Sequence, residues 1–405
     1  MTDNDATLQR SIGLPLLLFF GLGNILGAGI YVLIGKVAGE AAMYTPVAFF
    51  VASVVAGFSA FSYGELSARY PFSAGEAVYI QEGFQITTLS RITGLLIALA
   101  GMVSAATIAR GFYGYFDQFI HLPEAVVVSG VVLTLGAITA KGIKESVSIA
   151  ALLTLFEIAG LLMVIYAGRD SLVTLPAQMD TLLPPVTAEA WSGIMLGAFL
   201  AFFAFIGFED MVNIAEEVKR PQFTMPAAIL IALLIATVIY ALVSLVAVLA
   251  LGQQSLIESN APLADIIAAS SDYDTAWISL IGMLAIVNGA LIQLVMASRI
   301  FYGMATRGWL WRGLSRVHPK TNTPLNSTLM VTGIILTLAL FIPLEGLARI
   351  TSFLILVVFT LVNLALIAIK RRSPDMDEGI NTPIWVPVAG CVTSTCLLLA
   401  QLLVI

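Results

Sequence analysis

The feature that most constrains this chain is a repeated one: apolar stretches of bilayer-spanning length follow one another along almost all of its 405 residues. A helix needs about 20 apolar residues to cross the hydrocarbon layer. Eleven candidates stand at 12–35, 44–64, 92–109, 125–140, 149–168, 191–214, 226–251, 276–298, 327–343, 351–369 and 383–405. The fourth and ninth are short, which fits tilted neighbours or locally thin bilayer. Only 11% of residues are charged and 59% are hydrophobic, against roughly 25% charged in a soluble domain. The expectation is an all-α integral membrane protein. The polar first ten residues, with Asp3 and Asp5, are followed by an apolar run too long for a signal peptide.

Charge placement tests the span count. With the N-terminus in the cytoplasm, fifteen Lys and Arg residues fall on the cytoplasmic side, among them Arg10, Arg69, Lys144, Lys219, Arg220, Lys370 and Arg372. The other side receives only Lys36, Arg110, Arg169 and Arg349. That asymmetry is what the positive-inside rule requires. A missed span would scramble it. A multi-pass protein of the cytoplasmic membrane is expected.

Two spans contain interruptions that a plain anchor does not need. The first carries Gly21, Gly23, Gly27 and Gly29 near its middle, around Asn24. The sixth reads Phe202-Phe203-Ala204-Phe205-Ile206-Gly207-Phe208-Glu209-Asp210. Glycine weakens a helix by about 1 kcal/mol relative to alanine, and unwound backbone survives at membrane depth only where protein surrounds it or it lines a cavity. For the first span, a close-packing Gly23-x-x-x-Gly27 surface is the alternative. Interruptions in spans one and six imply two five-helix repeats, the second inverted because five is odd. The expected division is a first repeat over 1–168, an extracellular connection over 169–190, a second repeat over 191–370, and a linker with an eleventh helix over 371–405. Such repeats mark transporters whose site lies at the midplane.

A broken helix offers free N–H groups to an anion on one side and free carbonyls to a cation on the other. A zwitterion satisfies both. Gly27, Ala28, Gly29 and Ile30 are the carboxylate candidates; Asn24, Ala204, Ile206 and Gly207 the amine candidates. Phe202, Phe205 and Phe208 either cover the site or simply pack. Glu157, in the middle of the fifth span, is the sharpest single residue. A carboxylate there costs roughly 3 kcal/mol even on the gentle insertion scale. It fits a proton carrier, a cation ligand, or a structural group bonded to a neighbouring helix. Asn288 in the eighth span either reaches a cation site or bonds a helix, and Gln293 and Ser298 add polar atoms there. Glu209 and Asp210 face a pathway or a loop. Glu65 bonds loop backbone, and Glu216 and Glu217 pair with Lys219 and Arg220 at the interface.

Other classes fit less well. Cys391 and Cys396 share one apolar segment, and His121 and His318 are the only histidines. No metal site, cofactor or catalytic constellation is expected, so the chain is not read as an enzyme. No phosphate-binding G-x-x-x-x-G-K-[ST] occurs, which disfavours an ATP-driven pump. The isolated polar residues of the spans disfavour a channel. The partners expected are a small amino acid or amine, a proton or sodium ion, and the lipid bilayer, with no nucleic acid.

Several motifs resemble the amino acid-polyamine-organocation transporter superfamily. Gly27-Ala28-Gly29-Ile30-Tyr31 looks like its substrate-binding G-x-G-I. Phe202 to Glu209 and Ala215-Glu216-Glu217-Val218-Lys219-Arg220-Pro221 are similar to its sixth-helix signatures. Tyr63-Gly64-Glu65-Leu66, Pro71-Phe72-Ser73-Ala74-Gly75 and Gly142-Ile143-Lys144-Glu145-Ser146 resemble three further ones. The resemblance implies the leucine-transporter-type fold, alternating access, and amino acid, polyamine or other amine substrates; a nontransporting amino acid sensor shares the same signature. It also puts Glu157 where some bacterial relatives carry a lysine that acts like a bound sodium ion. Here the charge is opposite. Most members have twelve helices, against the eleven counted here.

Overall fold

The computed structural model describes residues 10, 12–27, 29–72, 75–117, 119–141, 146–270, 275–306, 308–318, 323–374 and 379–404. Its helices are α1 (Leu14–Leu26), α2 (Gly29–Ala41), α3 (Thr45–Arg69), α4 (Gly75–Phe84), α5 (Thr87–Phe116), α6 (Glu124–Lys141), α7 (Ser146–Ala167), α8 (Arg169–Leu172), α9 (Leu175–Leu182), α10 (Ala188–Phe205), α11 (Pro221–Ala250), α12 (Gly252–Glu258), α13 (Pro262–Ser270), α14 (Thr275–Thr306), α15 (Leu325–Phe341), α16 (Leu344–Arg372) and α17 (Trp385–Val404). A 3-10 segment, Glu209–Glu217, follows α10. Among the described residues no β-strand forms, only an isolated bridge between Ile12 and Val218. In a bilayer every backbone amide and carbonyl needs a partner, which a helix supplies within itself.

Seven helical stretches among the described residues are long and apolar enough to cross a membrane, and Glu124–Ala140, Leu152–Ala167 and Leu325–Phe341 are shorter apolar helices. The first of the seven, Leu14–Arg69, holds 56 residues. At 1.5 Å per residue it would run about 84 Å if straight, nearly three times the hydrocarbon thickness. It turns instead at Ala42–Tyr44, a short 3-10 segment between α2 and α3. Helix starts carry recognisable signals. Pro15 and Pro221 stand in the first turns of α1 and α11, where a missing N–H costs nothing. The Thr187 hydroxyl caps α10 by accepting from the Ala190 N–H.

The stretch formed by α1 and α2 runs along α10 and the 3-10 segment that follows it. Ile12 pairs with Val218, and Lys219 donates its N–H to the Ile12 carbonyl at 2.8 Å. Further along, Asn24 meets Gly207 and Gly29 abuts Ala204. As numbers rise in one span they fall in the other, so the two run antiparallel side by side. Around them, α11 packs on α1 and α3, α7 on α1, and α14 on α5.

Candidate functional site

α1 and α10 both end where the two stretches meet. α1 ends at Leu26 and α2 begins at Gly29. Gly27 keeps helical angles, φ −60° and ψ −52°. The end of α10 is sharper. Ile206 is extended, with ψ 137°, and Gly207 has φ +132°, a region that glycine alone enters freely. A side chain at Gly207 would also stand within 3.1 Å of Asn24 atoms. At Gly29 a methyl group would run into the backbone of Ala204. These two glycines therefore let the interrupted backbones touch.

The polar atoms at the crossing are arranged around Asn24. Its side-chain amide donates to the Gly207 carbonyl at 2.9 Å and to Asp210 Oδ2 at 2.7 Å. Gln293 Nε2 donates to the same Asp210 oxygen at 2.8 Å. Glu209 Oε2 accepts the Gly207 N–H at 2.8 Å. The Tyr240 hydroxyl lies 2.6 Å from the Ile25 carbonyl and 3.1 Å from that of Ala204. One hydroxyl hydrogen cannot serve both fully, so one of these carbonyls keeps acceptor capacity. Beside this crossing is a small, water-sized cavity lined by Gly101, Ser104, Ile206, Asp210, Gln293 and Thr351 among others.

Glu157 lies on the far side of the α1–α2 junction and is 1% exposed. Asn288 Nδ2 donates to its Oε1 at 3.1 Å, while Oε2 has no hydrogen-bond partner. A Cβ placed on Gly27 would be 2.8 Å from the Gly23 carbonyl, 3.2 Å from that of Ala285 and 3.9 Å from Glu157 Oε1. Gly27 thus packs closely against the backbone of Ala285, with the Glu157 carboxylate at its side.

The structure brings together Asn24, Gly29, Ala204, Ile206 and Gly207 at the crossing, and Gly27, Glu157 and Asn288 beside it. Ile30 is fully buried, and Ala28 lies outside the described residues. Phe202, Phe205 and Phe208 pack: Phe202 and Phe208 lie against Phe359, and Phe205 against Tyr240. Glu65 does bond loop backbone, accepting the Thr382 N–H at 2.8 Å, and it also pairs with Arg69 and Lys370. Asp210 is more central than a loop partner would be. The side chains of Glu216 and Glu217, and residues Gly142 to Glu145, lie outside the described set. Sequence reasoning missed Tyr240. A single tyrosine inside the aliphatic run of α11 was the available signal.

A family model described as amino acid permease matches residues 12–405. The chain belongs to the amino acid permease family. This permease is 27% identical to the branched-chain amino acid permease BcaP of Bacillus subtilis, over 98% of this chain and 89% of that protein. It is 28% identical to a methylthioribose transporter of the same organism, over 96% and 87%. It is 30% identical to the vacuolar cationic amino acid transporter 4 of Arabidopsis thaliana, over 92% and 65%. Membership and the apolar helices together make the permease a multi-pass membrane transporter.

Proposed function

We propose that this permease moves amino acids or closely related amines across the cytoplasmic membrane by alternating access, binding them where spans one and six are interrupted. The observation that carries this reading is the antiparallel crossing of two broken spans, with Gly29 against Ala204 and Asn24 against Gly207. A small zwitterion matches what such a crossing offers, amides for its carboxylate and carbonyls for its ammonium. The relatives' printed substrates, branched-chain amino acids, methylthioribose and cationic amino acids, leave the side-chain class open. A polyamine or other organic cation is the nearest alternative.

The reading includes eleven spans, two of them folded from the long first stretch, in two inverted five-helix repeats. The first repeat covers 1–168 and the second 191–370, with the N-terminus cytoplasmic. Glu157 with Asn288 is the proposed coupling group for a proton or sodium ion. Uptake by purified permease in liposomes, across a panel of amino acids and polyamines with proton and sodium gradients imposed separately, tests it. Saturable, gradient-driven accumulation of at least one solute is expected. Binding without uptake would favour a sensor, and unsaturable ion flux a channel; either result overturns the proposal.

A further inference from the structure

α11 is aliphatic along most of its length, and Tyr240 is the one tyrosine within it. Its ring is fully buried. It makes edge-to-face contacts with Phe49 of α3, at 5.9 Å between centroids, and with Phe205 of α10, at 5.2 Å. A phenylalanine would fill that aromatic slot equally well, so packing does not account for the hydroxyl.

The hydroxyl engages two backbone carbonyls. It lies 2.6 Å from that of Ile25 and 3.1 Å from that of Ala204. Ile25 is in the last turn of α1 and Ala204 in the last turn of α10, where helix carbonyls run out of N–H partners. One carbonyl comes from each interrupted span, and a side chain from a third helix joins them. The Asn24 amide serves the Gly207 carbonyl in the same way, at 2.9 Å. Ile25, Ala204 and Gly207 thus accept from the protein's own donors.

We infer that the Tyr240 hydroxyl is a competitor built into the site: it latches span one to span six, and the ammonium of the solute must displace it to bind. The inference rests on the transport reading above and adds to it a regulatory element of that same site. A donor that bridges both carbonyls needs the place the hydroxyl oxygen holds. The hydroxyl is uncharged and has one hydrogen to offer. An ammonium has three, and its charge makes each bond roughly twice as strong as a neutral one. The amine therefore wins the carbonyls when it arrives, and the hydroxyl holds them otherwise. The exchange breaks and forms hydrogen bonds only; no covalent bond changes. Turning the ring about its own axis leaves the oxygen where it is, and Phe49 and Phe205 flank the ring. Displacement therefore shifts α11 against α1, on which it packs, and ties solute binding to movement of that helix.

The test is equilibrium binding, to the whole detergent-solubilised chain, of whichever amino acid or amine of the panel the wild type accumulates. Tyr240→Phe keeps the ring and removes the competitor. Its affinity for that solute is expected to be about fivefold tighter than that of the wild type, the equivalent of one net hydrogen bond. A strut whose loss only loosens the site would weaken binding or leave it alone. Unchanged or weaker binding by Tyr240→Phe therefore overturns the inference, and leaves the transport reading intact where wild-type uptake is saturable. If Tyr240→Phe fails to fold, 3-fluorotyrosine at position 240 of the otherwise wild-type chain decides. Its fluorine resonance should shift when the solute is added, as the hydroxyl loses its carbonyls; an unmoved resonance overturns the inference. Wild-type protein that takes up no member of the panel overturns the transport reading and this inference together.

Discussion

At the scale of single residues, the site is set by a few atoms whose neighbours permit no substitution. Gly29 has no room for a side chain beside Ala204. Gly29→Val should abolish uptake, with an overpacking cost of about 1–3 kcal/mol; uptake normalised to membrane-inserted protein measures it. Glu157 has one bonded and one free oxygen. Glu157→Gln should erase the dependence of uptake on whichever ion drives it, with a fall of about tenfold, near 1.4 kcal/mol. Unchanged ion dependence would remove Glu157 from the coupling role. Tyr240→Phe withdraws the hydroxyl that joins Ile25 and Ala204. A loss of about 1 kcal/mol in the stability of the ligand-free protein is expected, read by thermal unfolding. Gly207 and Asn24 were legible in the sequence because glycine and amide are anomalous at membrane depth. Tyr240 was not, since the carbonyl it reaches at 2.6 Å, that of Ile25, stands 215 positions away, and nothing local to Tyr240 announces such a partner.

At the scale of elements, buried ion pairs fasten helices that are remote in sequence. Glu65 at the end of α3 is fully buried and pairs with Lys370 of α16 at 2.8 Å and Arg69 at 2.7 Å. Its other oxygen accepts from Thr382, just before α17. One carboxylate thus ties α3, α16 and the approach to α17. Lys370→Met leaves that charge with a single cation, and a loss of about 3 kcal/mol follows from uncovering a buried pair. A shift in thermal unfolding of the detergent-solubilised protein checks it. Near the opposite end of α16, Arg349 bridges Glu40 of α2 and Glu345, and also donates to Gln401 of α17. In the sequence Arg69, Lys370 and Arg349 register only as cations on one side or the other, and Glu65 as a partner of loop backbone, because hydropathy gives depth and says nothing of which helices adjoin.

At the scale of the whole molecule, hydropathy carried the reading far. Long apolar runs have few outcomes in a bilayer, so helix positions followed closely: 226–251 became Pro221–Ala250, and 125–140 became Glu124–Lys141. The short connecting helices α4, α8, α9, α12 and α13 were not anticipated, since they are too short or too mixed to register as apolar runs. The central claim is that the broken first and sixth spans together hold the transported solute. It is tested most directly by placing a cysteine at Ile206, in a background with Cys391 and Cys396 replaced by alanine, and following its modification by a small thiol reagent. Addition of an accumulated amino acid or amine should slow modification in proportion to site occupancy. A variant that still accumulates that solute, yet whose cysteine reacts at the same rate with and without it, would contradict the claim.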